Sequence, residues 1–309
     1  MISALAVLLV AASAAAAPRV PEGGPGCGGL QTEQEPNGTA ATASPVVQST
    51  GTQTFVGIYG TIQPGDVDWY SFTAPAGARI WLSVDTGVAG PAGSRDSVVS
   101  LVAPDGSTVI ETDDDDGTGN GRDFNIESSD ASIIAGRMVP AAGTYFARVE
   151  AKVPGQAIDG YSLLLGVTTA APMAEIEPND CPPGGPASVG LAGGVQSGSL
   201  SGPGDSDCYN INILDVGIPF IVVDGDPERD GVGTDVALRF VTVGGALAID
   251  ADSSGTGSLV NSPAEGFALF TNMGLVRITG SGPGTYTLAV MFSRQECQVP
   301  VGLERFAIE

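Results

Sequence analysis

The chain has 309 residues, long for one small domain and sufficient for two that each bury a core. It carries 12 Lys and Arg against 35 Asp and Glu, a formal net charge of -23. Such a surface repels phosphate backbones and anionic lipid, which excludes nucleic acid and leaves cations, or neutral and basic polymers, as partners. Residues 1–17, "MISALAVLLVAASAAAA", form an uncharged apolar run ending in small residues that resemble a cleavage site, and are expected to be a secretory signal. No later stretch is apolar enough to span a bilayer. The mature chain is expected to be exported, to the medium, the periplasm or the cell surface, where its four cysteines can pair.

Residues 18–30, "PRVPEGGPGCGGL", are a Gly/Pro-rich linker. Short β-type runs follow. "GARIWLSVD" puts Ile80, Leu82 and Val84 on one face, "GTYFARVEA" does so with Tyr145, Ala147 and Val149, and "GYSLLLGV" with Tyr161, Leu163 and Leu165. No segment has the period and caps of an amphipathic helix. The pattern predicts an all-β, antiparallel sandwich.

The segment "TEQEPNGT" returns as "AEIEPNDC". Glu33 and Glu175 are 175 − 33 = 142 apart, while Asp66 in "GDVDWY" and Asp205 in "GDSDCY" are 205 − 66 = 139 apart. Asp85 matches Asp224, and Asp96 matches Asp235, again at 139, and Tyr145 in "GTYFARV" is matched to Tyr286 in "GTYTLAV" at 141. Landmarks in one order at a nearly constant offset indicate two copies of one β-domain, residues 31–169 and 173–293, followed by a tail at 294–309.

The order E-x-E-P-N, then G-D-x-D-[aromatic]-Y-x-F, then "APDG" and "GTYFARV", resembles the bacterial pre-peptidase C-terminal domain, a family that includes the collagen-binding domains of clostridial collagenases. The second copy keeps "EIEPND" and "GDSDCYNI" and is looser in its middle. The resemblance implies two tandem jelly-roll-like sandwiches, usually appended to exported enzymes, with calcium bound by the acidic N-terminal motif in the collagenase members. No catalytic domain is expected beside them within this sequence.

The chemistry of the side chains points the same way. Ca²⁺ takes six to eight oxygens from carboxylates, amides and backbone carbonyls. Glu33, Glu35 and Asn37 stand at alternate positions of an extended stretch, and Asp66 and Asp68 share that spacing. The second copy offers Glu175, Glu177, Asn179, Asp180, Asp205 and Asp207. Gly38 stands where the second copy has Asp180, so the first site has one candidate ligand fewer. The alternative is that these acids are solvated loop charges beside a Pro-Asn turn. The runs "DGDPERDGVGTD" and "ETDDDDGTGNGRD" lack the glycine that a helix-loop-helix calcium site requires and are expected to be a solvated loop and an acidic hairpin. "NGT" at Asn37 is read as turn chemistry rather than a glycan acceptor.

Cys27, Cys181, Cys208 and Cys297 allow three pairings. If the E-x-E-P-N-D and G-D-x-D stretches adjoin, Cys181 and Cys208 would staple the second site. The chain has no histidine, which removes Ser-His-Asp and Cys-His nucleophiles and histidine-bound zinc, and no phosphate-binding or nucleophile-elbow motif is present. A non-catalytic, monomeric module for an extracellular protein or polysaccharide is expected, with Trp69, Trp81 and Tyr70 as aromatics that either contact a ligand or fill the core. The alternatives are a calcium-stabilised envelope spacer and an accessory chain of a secreted peptidase.

Overall fold

A computed structural model of the chain describes residues 31–48, 53–86, 96–114, 132–180, 189–191, 194–212, 217–230, 233–234, 236–242, 247–252, 261–265 and 273–294. The expected signal, linker and tail, the run after Asp114, and Cys27, Cys181 and Cys297 lie outside these residues. Among the described residues the secondary structure is strand apart from one 3-10 turn, Ala40–Thr42. The all-β expectation holds.

Four five-stranded sheets form. The first has the order β1 (Gln31–Thr32), β3 (Gln53–Ile62), β10 (Ile158–Thr168), β5 (Arg79–Asp85), β8 (Ile133–Met138). Facing it are β2 (Ser44–Pro45), β4 (Val67–Ala74), β9 (Gly143–Ala151), β6 (Ser97–Val102) and β7 (Val109–Asp113). The third sheet has the order β11 (Met173–Ala174), β13 (Gly194–Leu200), β20 (Gly284–Arg294), β15 (Gly217–Asp224), β18 (Asn261–Glu265). The fourth runs β12 (Val189–Leu191), β14 (Ser206–Asn212), β19 (Met273–Gly280), β16 (Val236–Thr242), β17 (Leu247–Asp252).

The pairing is antiparallel except at four edges, where β1–β3, β2–β4, β11–β13 and β12–β14 run parallel. A hairpin would make such pairs antiparallel. Here the chain leaves β1 for the facing sheet at β2 and returns as β3, and this crossover lays the strands down in one direction.

Both halves have the same strand order, which corrects one landmark of the sequence alignment. Tyr145 lies on β9, whose counterpart is β19, whereas Tyr286 lies on β20, the counterpart of β10. The partner of Tyr286 is therefore Tyr161: Tyr161 pairs with Gly60 and Tyr286 with Gly198. The G-T-Y phrase misleads because both β9 and β20 begin on a glycine after a turn.

The alternating residues fill the space between facing sheets. Ile58, Ile80, Leu82, Leu163 and Leu165 pack with Tyr70, Phe72, Leu101, Tyr145 and Ala147. β10 is buried at every residue from Tyr161 to Thr168, more than alternation predicts. Leu164 points the other way and joins Trp81, Ile133 and Ala135 against Val195, Val222 and Ala289 of the third sheet. A strand covered on both faces reads as a continuous apolar run, which is what "LLLGV" is. Each Leu- or Val-sized side chain so buried contributes ~1.5–3 kcal/mol. The sheets thus stack in four layers, with the first and third innermost.

Among the described residues no helix is long and apolar enough to cross a membrane.

Candidate metal centres

The alternation of β4 sets the first site. Asp68, Tyr70, Phe72 and Ala74 point inward and are buried, while Trp69 and Ser71 face outward. Asp68 thus carries a carboxylate into the gap between two sheets, fully buried. The segment Glu33 to Asn37 closes over it, and the carboxylate oxygens of Glu33, Glu35 and Asp68 come within 4.8 Å of one another. The second half repeats the arrangement with Glu175, Glu177 and Asp207.

The E-x-E-P-N segment is not a simple extended strand. Its Glu35–Pro36 and Glu177–Pro178 peptide bonds are cis. Glu35 is exposed and Asn37 buried, and Glu35 Oε2 accepts a hydrogen bond from the Asn37 backbone N–H at 2.8 Å; Glu177 and Asn179 do the same at 2.9 Å. The Asn37 carbonyl accepts from Trp69 N at 3.1 Å, and that of Asn179 from Cys208 N at 3.0 Å, which fixes each segment against its strand. Ser44 on β2 adds a further tie, its Oγ accepting from Gln34 N at 2.8 Å.

Glu33 is held from three sides. Its Oε1 accepts from Thr61 N and Oγ1 at 2.9 and 3.1 Å, and its Oε2 from the Tyr70 hydroxyl at 3.2 Å. Glu175 is held likewise by Ser199 N and Oγ, at 2.6 and 3.0 Å, and by Tyr209 at 3.2 Å. Tyr161 donates to Asp68 Oδ2 at 2.5 Å and Tyr286 to Asp207 Oδ2 at 2.6 Å. The hydroxyls of Tyr70 and Tyr161 also meet each other, as do those of Tyr209 and Tyr286. The sequence puts Tyr161 on an inward face and leaves Tyr70 between ligand contact and core; that both hydroxyls reach the acids is not legible from it. The contact shows at a glycine instead: a Cβ on Gly60 would sit 2.6 Å from the Tyr161 hydroxyl and 2.7 Å from Glu33 Oε2, so only a residue without a side chain admits both.

Crowding carboxylates in a buried place disfavours their charged forms. Burial pushes Asp68 up to about 8, the Tyr161 hydrogen bond opposing and the Glu33 charge adding to the effect. Asp207 is likewise raised to about 8 by burial, against the Tyr286 hydrogen bond and with the Glu175 charge. Burial also raises Glu33.

The donor set fits a hard cation. Asn37 Oδ1 and Asp68 Oδ1 are buried without a hydrogen-bond partner, the arrangement expected of oxygens reserved for an ion. Three carboxylates within 4.8 Å match the span of oxygens around one ion bonded at about 2.4 Å. In the second half Asn179 turns its amide nitrogen to Asp207 Oδ1 and Glu177 Oε2, 2.9 Å from each in the orientation that satisfies it, so that amide protons stand where a cation would.

The remaining candidates lie at the margin. Asp66 Oδ1 accepts from Val67 N at 2.9 Å, and Asp205 Oδ2 from Ser201 N at 2.6 Å; neither belongs to a three-carboxylate group. The Ser201 backbone bond is the main reason Asp205 is held below the usual carboxylate range. Asp180 makes an isolated bridge to Asp207. Trp81 and Tyr70 are fully buried, which leaves Trp69 as the accessible member of the three aromatics. It packs edge-on to Phe146, with the Arg148 guanidinium 5.8 Å from its ring.

The family model of the bacterial pre-peptidase C-terminal domain matches residues 66–151. That span includes Asp66 and Asp68 but stops short of Tyr161 and begins after the E-x-E-P-N segment. No curated protein matches the chain. Among solved structures, the periplasmic g-type lysozyme inhibitor PliG of Aeromonas hydrophila aligns at 18% identity over 45% of this chain and 96% of its own, with a TM-score of 0.27. Tandem CBM51 modules of the family 98 glycoside hydrolase Sp3GH98 from Streptococcus pneumoniae align at 12% over 78% and 84%, at 0.23. The PBSX exported protein XepA aligns at 10% over 81% and 90%, at 0.25. Overlaps this loose carry nothing about function.

Proposed function

We propose that the protein is an exported, monomeric, non-catalytic pair of β-sandwich domains, residues 31–169 and 173–293, each tied together by one Ca²⁺, and that it serves as a module for an extracellular protein or polysaccharide. One observation carries the calcium reading: the same three-carboxylate group occurs twice, and in the first it includes a buried oxygen of Asp68 that no hydrogen bond satisfies. Glu33, Glu35, Asn37 and Asp68 would hold the first ion, and Glu175, Glu177, Asp207 and, with its amide turned oxygen-inward, Asn179 the second, with Asp66, Asp180 and Asp205 at the rim. The ion would supply positive charge that lets neighbouring carboxylates ionise together and pins the entering segment to the sandwich. The family match at 66–151 supports the non-catalytic reading.

A disulfide at Cys208 belongs to this reading. The Cys208 backbone N–H bonds to Asn179, two residues before Cys181, and this closeness supports a Cys181–Cys208 bridge at the second site.

A second reading, the rigid spacer, is favoured by the fate of the aromatics. Trp81 is spent on the contact between halves, and the face of Trp69 carries Arg148.

Calcium titration by calorimetry on the mature chain, from about residue 18, tests the first reading. Two saturable sites are expected, with one lost in the Glu175→Ala/Asp207→Ala variant. No heat, together with equal melting temperatures in calcium and in chelator, overturns it.

A further inference from the structure

The run that begins at Asp224 is expected to be solvated; Glu228 and Asp230 are exposed, but its first two acids are not. Asp224 is fully buried and Asp226 is 1% exposed. From the alternate acids of this loop, Arg229 folds back at φ 56 and aims its guanidinium at the N-terminal half. Its Nη1 donates to Asp224 Oδ1 and Oδ2 at 2.7 and 2.8 Å and to the Asp226 carbonyl. Its Nε donates to Glu111 Oε2 on β7 at 3.2 Å, and Nη2 to the carbonyl of Ala135 on β8. Glu111, 9% exposed, also meets Arg137 at 3.5 Å.

We propose that Arg229 is a built-in cation that clasps the two sandwiches into one rigid body. One planar group bonds simultaneously to Asp224 and Asp226 of its own half and to Glu111 and Ala135 of the other. Such a fork fixes direction as well as distance. Burial works against the charge on Arg229, yet Asp224 and Glu111 hold it above its ordinary range.

The surrounding packing is built for the same closure. Gly136 has φ +67, and a Cβ there would lie 2.8 Å from the Trp81 ring and 3.2 Å from Asp224 Oδ2. Its lack of a side chain lets Trp81 and Asp224 approach from opposite halves. The Trp81, Ile133, Ala135 and Leu164 cluster continues the contact onto Val195, Val222 and Ala289. Gln53 Nε2 bonds to the Val290 carbonyl at 3.2 Å, a further tie across the joint.

A rigid joint has a functional consequence that holds whether or not either acidic cluster takes an ion. The first and third sheets spend their outward faces on each other, so any partner must be met by the second and fourth sheets or by the sheet ends. Two such surfaces held in fixed orientation engage a repetitive partner without the linker entropy that flexible tandem domains lose.

The test uses the full mature chain in a Trp69→Phe background, where Trp81 is the sole tryptophan. Trp81 should emit as a buried indole and resist acrylamide. Arg229→Met keeps side-chain length but strands Asp224 and leaves Glu111 only Arg137, and should shift the emission to the red and raise quenching toward that of an exposed indole while the far-ultraviolet β signal persists. Quenching of Trp81 in the parent at the level of a free indole, or no change in Arg229→Met, overturns the clasp. Calorimetry of the unsubstituted chain covers the case in which the variant fails to fold. A single cooperative transition is expected, and two transitions separating at all calcium concentrations count against one body.

Discussion

The hydroxyl of Tyr161 lies 2.5 Å from Oδ2 of Asp68, a bond that ties β10 of one sheet to β4 of the sheet facing it. Tyr286 and Asp207 repeat it at 2.6 Å between β20 and β14. Replacing either tyrosine with phenylalanine keeps the ring and removes a donor from a buried carboxylate, which costs about 1–3 kcal/mol. Tyr161→Phe and Tyr286→Phe should each lower the denaturant midpoint and weaken calcium binding at their own site. Tyr145→Phe, which loses a bond only to the Ala141 carbonyl, should leave calcium binding unchanged.

The metal-free protein should lose stability as pH rises from about 4 to 8. Asp68 and Asp207 ordinarily titrate near 3.8 but are raised to about 8 in the folded chain. Between those values the folded state holds protons that the unfolded state has released, so stability is fully present below the lower value, falls through the interval and levels off above the upper one. Melting in chelator at pH 5 and pH 8 measures this, with the higher melting temperature expected at pH 5. Calcium reverses the trend: it competes with those protons, so its apparent affinity should climb with pH until about 8. A chelated protein that is more stable at pH 8 would place the two carboxylates in water.

Much of this fold was legible as alternation. The inward set of β5 and the inward tyrosine and leucines of β10 were read at the right parity, and the doubled E-x-E-P-N marks both acidic clusters. What the pattern concealed has physical reasons. Leu164 breaks alternation because the first sheet is covered twice, and that second cover comes from a distant part of the chain. The loop around Arg229 reads as solvated because its acids outnumber its cations locally; two of the groups that bury it, Glu111 and Ala135, lie far away in sequence. Tyr286 was aligned with the wrong strand because G-T-Y records a turn rather than a position in the sheet.

Gly60 and Gly198 should tolerate no side chain. Each faces a tyrosine ring across a strand pair and lies against Glu33 or Glu175, where a Cβ would stand 2.7 or 2.8 Å from Oε2. Alanine at either position forces the tyrosine or the glutamate aside, an overpacking that costs about 1–3 kcal/mol. Gly60→Ala and Gly198→Ala should lower the melting temperature and weaken the adjacent calcium site. Gly202→Ala, with nothing within 4 Å of its Cβ, should change neither, staying within about 0.5 kcal/mol of the parent.

The two sites should differ in strength, and Gly38 is the reason. At the corresponding place in the second half stands Asp180, whose backbone forms an isolated bridge to Asp207, so that the second half has one more carboxylate beside its acidic group. Gly38 has room for one, since a Cβ there would meet only Val67 O at 3.7 Å and Asp66 Oδ1 at 4.0 Å. A carboxylate so near Asp66 repels it when no cation is present and adds an oxygen when one is. Gly38→Asp should therefore melt lower than the parent in chelator yet gain more from calcium, and a two-site isotherm should show the weaker site moving toward the stronger. The site is assigned by repeating the titration in Glu175→Ala/Asp207→Ala, where only the first site remains. An unchanged first-site affinity in that background would mean that the Gly38 position stands outside the cage, and that the asymmetry between the halves must lie with Asn37 and Asn179 instead.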